Sequence, residues 1–60
     1  MNFQKGQQLL VKTDIDNLAH QIRITHVTQN GYVIQRIGHI NFNHVNEETL
    51  QRWIDNVDRR

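Results

Sequence analysis

Residues 21–37 read QIRITHVTQNGYVIQRI. Two runs rich in β-branched residues, Gln21 to Thr28 and Tyr32 to Ile37, flank Asn30-Gly31. Branching at Cβ favours extended backbone. Asn-Gly accepts the positive φ that tight hairpin turns demand. The stretch therefore predicts an antiparallel hairpin with Gly31 in the left-handed region at its tip. A two-residue turn would pair Ile24 with Ile37 and Val27 with Ile34. A three-residue loop with a bulge at Gly31 would pair Val27 with Val33 instead. Either register leaves apolar residues on both faces, which predicts a strongly curved sheet or a small barrel, not a flat sheet with one wet face.

Beyond the hairpin, Gly38 marks a bend or bulge. Ile40 and Phe42 then alternate with Asn41 and Asn43, as in a half-buried strand. Upstream, residues 7–12 read as a further strand, with Leu9 and Val11 alternating against Leu10 and Lys12. Residues 13–19 are polar, carry Asp14, Asp16 and Asn17, and read as a loop, either irregular throughout or with one helical turn.

At the other end, Leu50, Trp53, Ile54 and Val57 fall at i, i+3, i+4 and i+7, one face of a helix. Asn46 supplies an N-cap oxygen for the first turn. Glu47 and Glu48 sit where the helix dipole favours negative charge, and Arg59 and Arg60 where it favours positive charge. Val45 and Leu50 take the two positions of a hydrophobic staple. A helix of about twelve residues is marginal alone and must dock on the preceding sheet.

The expected fold is α+β, a single domain over residues 1–60. About four strands lie within 7–45 and the helix spans about 47–58. The order suits a small antiparallel sheet or SH3-like barrel with one C-terminal helix, a likeness of architecture that carries no function.

Composition narrows the functions open to such a domain. The 18 Val, Ile, Leu and Phe residues among 60 can build a small core, but all are needed to hold the fold. Ligand pockets of about 300 Å³ or more are lined by such side chains, so an enclosed substrate cavity is not expected. Cysteine is absent, which excludes disulfides and thiolate metal sites and suits a reducing compartment. The N-terminal ten residues lack the apolar run of a signal peptide, and no stretch is apolar enough to span a membrane. These features predict a cytoplasmic protein with no membrane partner. Net charge is +1, with the strand region mildly basic and the helix mildly acidic.

Catalytic constellations are missing. The chain has no serine and no cysteine, its acids are confined to one loop and one helix, and Gly6, Gly31 and Gly38 are isolated. Nucleophilic catalysis and phosphate-cradling loops need more than this. Residues 13–17 resemble the start of a calcium loop, but Leu18, Ala19 and Thr25 stand where an EF-hand needs an oxygen ligand, a glycine and a glutamate. His20, His26, His39 and His44 lack the short spacing of a zinc site. No catalytic residue, cofactor or metal is expected.

Two binding readings remain. Arg23 and Arg36 lie on neighbouring strands with Tyr32 at the hairpin tip, and basic residues beside an aromatic suit weak RNA or DNA binding. A pI near 8.3 falls short of the value above about 9 usual for nucleic-acid domains. The leading reading is thus a non-catalytic protein-interaction module whose partner is a larger protein, of a size that suits a phage or mobile-element accessory factor. The module itself is expected to be a monomer or a weak homodimer. Trp53 and Leu50 anchor the helix, and Gly31 anchors the hairpin.

Overall fold

The computed structural model describes residues 3–16 and 18–58. Four strands precede one helix: β1 (Gln8–Lys12), β2 (Ala19–Val27), β3 (Gly31–Arg36), β4 (Phe42–Asn46) and α1 (Glu47–Asp58). The strands form one antiparallel meander in the order β1-β2-β3-β4. Of the two expected architectures, the pairing shows the open sheet: β1 and β4 are its edges.

The hairpin register differs from both expected ones. Thr28 N donates to the Gly31 carbonyl at 2.9 Å, so Gln29 and Asn30 make the turn. Val27 then pairs with Tyr32 and His26 with Val33, but Ile24 pairs with Ile34. Thr25 is the extra residue of a bulge, its hydroxyl donating to the Val33 carbonyl at 3.1 Å. One extra residue restores the alternation that the sequence hides. Ile22 and Ile24 now share the inner face with Tyr32 and Ile34, and the sheet separates into an apolar and a mostly polar face.

Gly31 is not a left-handed residue. The positive-φ glycines are Gly6 (φ 88°) and Gly38 (φ 87°). Gly38 is third in a turn closed by His39 N to the Arg36 carbonyl at 3.0 Å, the position where a type II turn needs glycine. Gly31 serves another purpose. It pairs with Asn46 on β4, and a Cβ there would overlap the Val45 carbonyl oxygen and approach the Asn46 Cα to 2.7 Å. Glycine lets the two backbones meet.

The inner face holds the core: Phe3, Val11, Ile22, Ile24, Tyr32, Ile34, Val45 and Leu50, with Leu9, Trp53 and Ile54 packed against it. Asn46 Oδ1 accepts from Thr49 N at 2.7 Å, so the expected cap is formed. Val45 and Leu50, the staple pair, are both buried. Arg59, Arg60 and Asn17 lie outside the described residues. The helix packs chiefly on β1. Asn56 Nδ2 donates to the Lys12 carbonyl and to Asp14 Oδ1, each at 3.0 Å, and Arg52 bridges Asp14 at 3.0 Å.

The expected strand through Ile40 and Phe42 begins later and faces the other way. Its core residue is Val45, opposite Tyr32. Because strand side chains alternate, burying Val45 turns Phe42 and His44 to the outer face. Ile40 is 86% exposed and Phe42 58%.

Candidate functional site

The three candidate contact residues do not meet. Ile22 pairs with Arg36 and Arg23 with Gln35, so the two arginines point to opposite faces. Arg23 sits on the outer face, in the row Gln8, Arg23, Gln35 and Phe42. Tyr32 is 4% exposed, inside the core. Its ring lies edge-on to Phe3 at 5.5 Å, and its hydroxyl accepts from Phe3 N at 3.3 Å. A stacking surface built from Arg23, Arg36 and Tyr32 is absent from this arrangement.

Arg36 instead lines a cleft of about 190 Å³ at the far end of the inner face. Val11, Ile22, Ile34 and Trp53 supply its apolar wall, and Asp16, His20 and Asn43 its polar one. Trp53 therefore anchors less than expected, remaining half-buried as a cleft wall, whereas Leu50 is fully buried. The cleft is smaller than a typical ligand pocket of about 300 Å³ or more.

Within it, His20 Nε2 lies 3.1 Å from Asp16 Oδ2, and Leu18 N donates to Asp16 Oδ1 at 3.2 Å. The His20 hydrogen bond, followed by that of Leu18, holds the Asp16 carboxyl below the ordinary carboxylate value. An imidazole held by a carboxylate can act as a base, but the only hydroxyl among the described lining residues is that of Thr13. The pair ties Asp16 to His20 of β2. A lowered folded pKa contributes stability above the unfolded value, near about pH 4, and loses it as pH falls through the folded value. The melting-temperature gap between wild type and Asp16→Asn should therefore narrow below about pH 4. A gap that stays constant from about pH 6 to about pH 2.5 would contradict this role.

The histidines lie apart. His26 contacts Thr25, and His44 Nε2 lies 2.9 Å from Thr28 Oγ1. Among the described residues, no three of His, Asp and Glu are grouped to hold a metal ion.

The edges of the sheet differ sharply. Unpaired N–H and C=O groups at an edge invite another strand, and proteins protect edges with charge, proline or a covering element. β1 carries Lys12 and lies under the helix, with Asn56 on its last carbonyl. Along β4 no residue is charged and none is proline, and Phe42, Asn43 and His44 are exposed, although the helix that follows touches this strand too. Residues 37–46 read IGHINFNHVN, with no Lys, Arg, Asp, Glu or Pro. Ile40 and Phe42 stand exposed beside it. Their alternation with Asn41 and Asn43 predicts a half-buried strand with these two residues inward, whereas both stand exposed; the sequence signal for an open edge is the uncharged stretch between Arg36 and Glu47.

The chain matches no family model, no curated protein and no solved structure. Among the described residues, no helix is long and apolar enough to cross a membrane.

Proposed function

We propose that the protein is a non-catalytic interaction module that takes an extended segment of a larger protein along β4. One observation carries this reading: β4 is an edge of the sheet that carries no Lys, Arg, Asp, Glu or Pro, and its Phe42, Asn43 and His44 are exposed. Addition of a strand to such an edge draws affinity from main-chain hydrogen bonds and specificity from alternate side chains. The partner's outward residues would lie beside Phe42 and His44, and its inward ones beside Asn43 and Val45. We place this module in the cytoplasm, the reducing compartment that a cysteine-free chain suits.

Affinity capture from nuclease-treated host lysate tests the proposal, with Phe42→Lys as the comparison bait. The substitution adds a charge to the edge at an exposed position and leaves the core intact. A protein retained by the wild type and lost with Phe42→Lys is the expected result. Retention of nucleic acid alone in an untreated lysate, or equal retention by both baits, would overturn the reading.

A further inference from the structure

We propose that the cleft at the end of the inner face binds a small monocarboxylate with a compact apolar body, its acid group held by Arg36. Such an acid can arrive free or as the last residue of another chain. The shared chemistry is one apolar group bearing one carboxylate. An acid can fill the cleft whether or not a strand docks along β4.

The polar groups decide the sign of the ligand. Asp16 is already occupied, its carboxylate held by His20 and by Leu18 N. The Arg36 guanidinium makes no hydrogen bond and no ion pair among the described residues, and neither does the Asn43 side-chain amide. Arg36 lies close enough to favour the charge of Asp16 without bonding it. The unused capacity of the cleft is therefore a cation with a planar fork of donors, beside a neutral amide. That fork matches a carboxylate through two parallel hydrogen bonds. Asp16 limits the ligand's charge, because its field opposes a dianion such as a phosphate monoester more than a monoanion.

The apolar wall decides the rest. Val11, Ile22 and Ile34 are buried, and Trp53 adds a half-buried ring. Ile22 pairs with Arg36 and Ile34 with Asn43, so each polar group stands beside an apolar one on the inner face. An apolar lining with a few converging polar groups is the ordinary make-up of a small-molecule site. A cavity of about 150 Å³ accepts benzene, so the cleft of about 190 Å³ accommodates one ring and a carboxylate and little more.

Titration of the full chain at neutral pH, followed by NMR, tests the proposal with three probes of one shape: benzoate, benzamide and benzylamine. Trp53 is the only tryptophan, so its indole N–H signal reports the cleft directly. Benzoate should bind saturably, with a dissociation constant near the millimolar range expected for so few atoms. It should move the signals of Ile22, Ile34, Arg36, Asn43 and Trp53 together. Benzamide keeps the shape and loses the charge, and should bind at least about tenfold more weakly. Benzylamine should bind no better than benzamide. Arg36→Gln, at an exposed position, should lower benzoate to the level of benzamide and leave benzamide unchanged. Circular dichroism checks that this variant folds, and the wild-type series stands without it. Phenylpropionate and N-acetylglycylphenylalanine separate the two sources. Tighter binding of the peptide assigns the acid to a chain terminus, and equal or tighter binding of the free acid assigns it to a small molecule. No saturable shift up to about 50 mM benzoate would overturn the proposal. So would benzamide or benzylamine binding as tightly as benzoate, or benzoate affinity unchanged in a folded Arg36→Gln.

Discussion

Gly31→Ala is expected to unfold the domain or detach β4 from β3. The added Cβ would overlap the Val45 carbonyl oxygen and sit 2.7 Å from the Asn46 Cα and 2.9 Å from the Val45 carbonyl carbon. All three are backbone atoms, so no side chain can swing aside. The strands must separate, and Val45 and the Asn46 cap separate with them. The cost should exceed about 4 kcal/mol, the range reserved for named structural failures. A domain of this length holds roughly 3–9 kcal/mol at 0.05–0.15 kcal/mol per residue. Gly31→Asn distinguishes the cause. Asparagine tolerates the left-handed region, so it would rescue a glycine needed for φ, but it carries the same Cβ. Both variants should therefore fail alike. Gly38→Asn should be mild, because Gly38 has φ +87° and open space around it. Urea melts of the three variants check the set, and a folded Gly31→Asn with near-native stability would contradict the close-approach account.

Leu50→Ala, made alone, should remove a large part of the domain's stability. Leu50 is fully buried, at 0% exposure, and is the only fully buried residue of the helix. It belongs to the same buried core cluster as Val45, its staple partner, and the inner residues of the sheet. Truncating such a leucine typically costs about 2–5 kcal/mol, the upper end where the site cannot collapse. Trp53→Ala should cost less, despite the larger side chain, because Trp53 stays partly exposed along the cleft. Thermal melts give the order: wild type, then Trp53→Ala, then Leu50→Ala. Reversal of the last two would show that the helix is held by Trp53.

The helix was legible because its signals are local. Asn46, the acidic first turn and the Leu50-Trp53-Ile54-Val57 spacing all act within one segment, and the helix spans the expected residues. The hairpin hid its register for a physical reason. Ile22, Ile24, Thr25, Val27 and Val33 are all good strand residues, so nothing local marks Thr25 as the bulge. A one-residue slip moves every side chain to the other face. That slip is why Tyr32 lies in the core and why Arg23 and Arg36 face apart. Gly31 misled for a related reason: Asn-Gly is a turn signal, yet here glycine answers a contact with Val45 and Asn46, distant in sequence. Ile40 and Phe42 misled because alternation reports a strand without saying which side is buried. The cleft residues Asp16, His20, Arg36 and Asn43 come from four segments and carry no spacing that reading along the chain could detect.

Amide hydrogen exchange on a dilute, monomeric sample tests most directly whether β4 is an open edge. In an antiparallel edge strand, alternate N–H groups pair with the neighbour and the others point outward. Among the amides of Phe42 to Asn46, alternate positions should therefore exchange rapidly, while those of β2 and β3 stay protected. Uniform protection along β4 in the dilute monomer would show that the edge is covered, and the open-sheet account would fail.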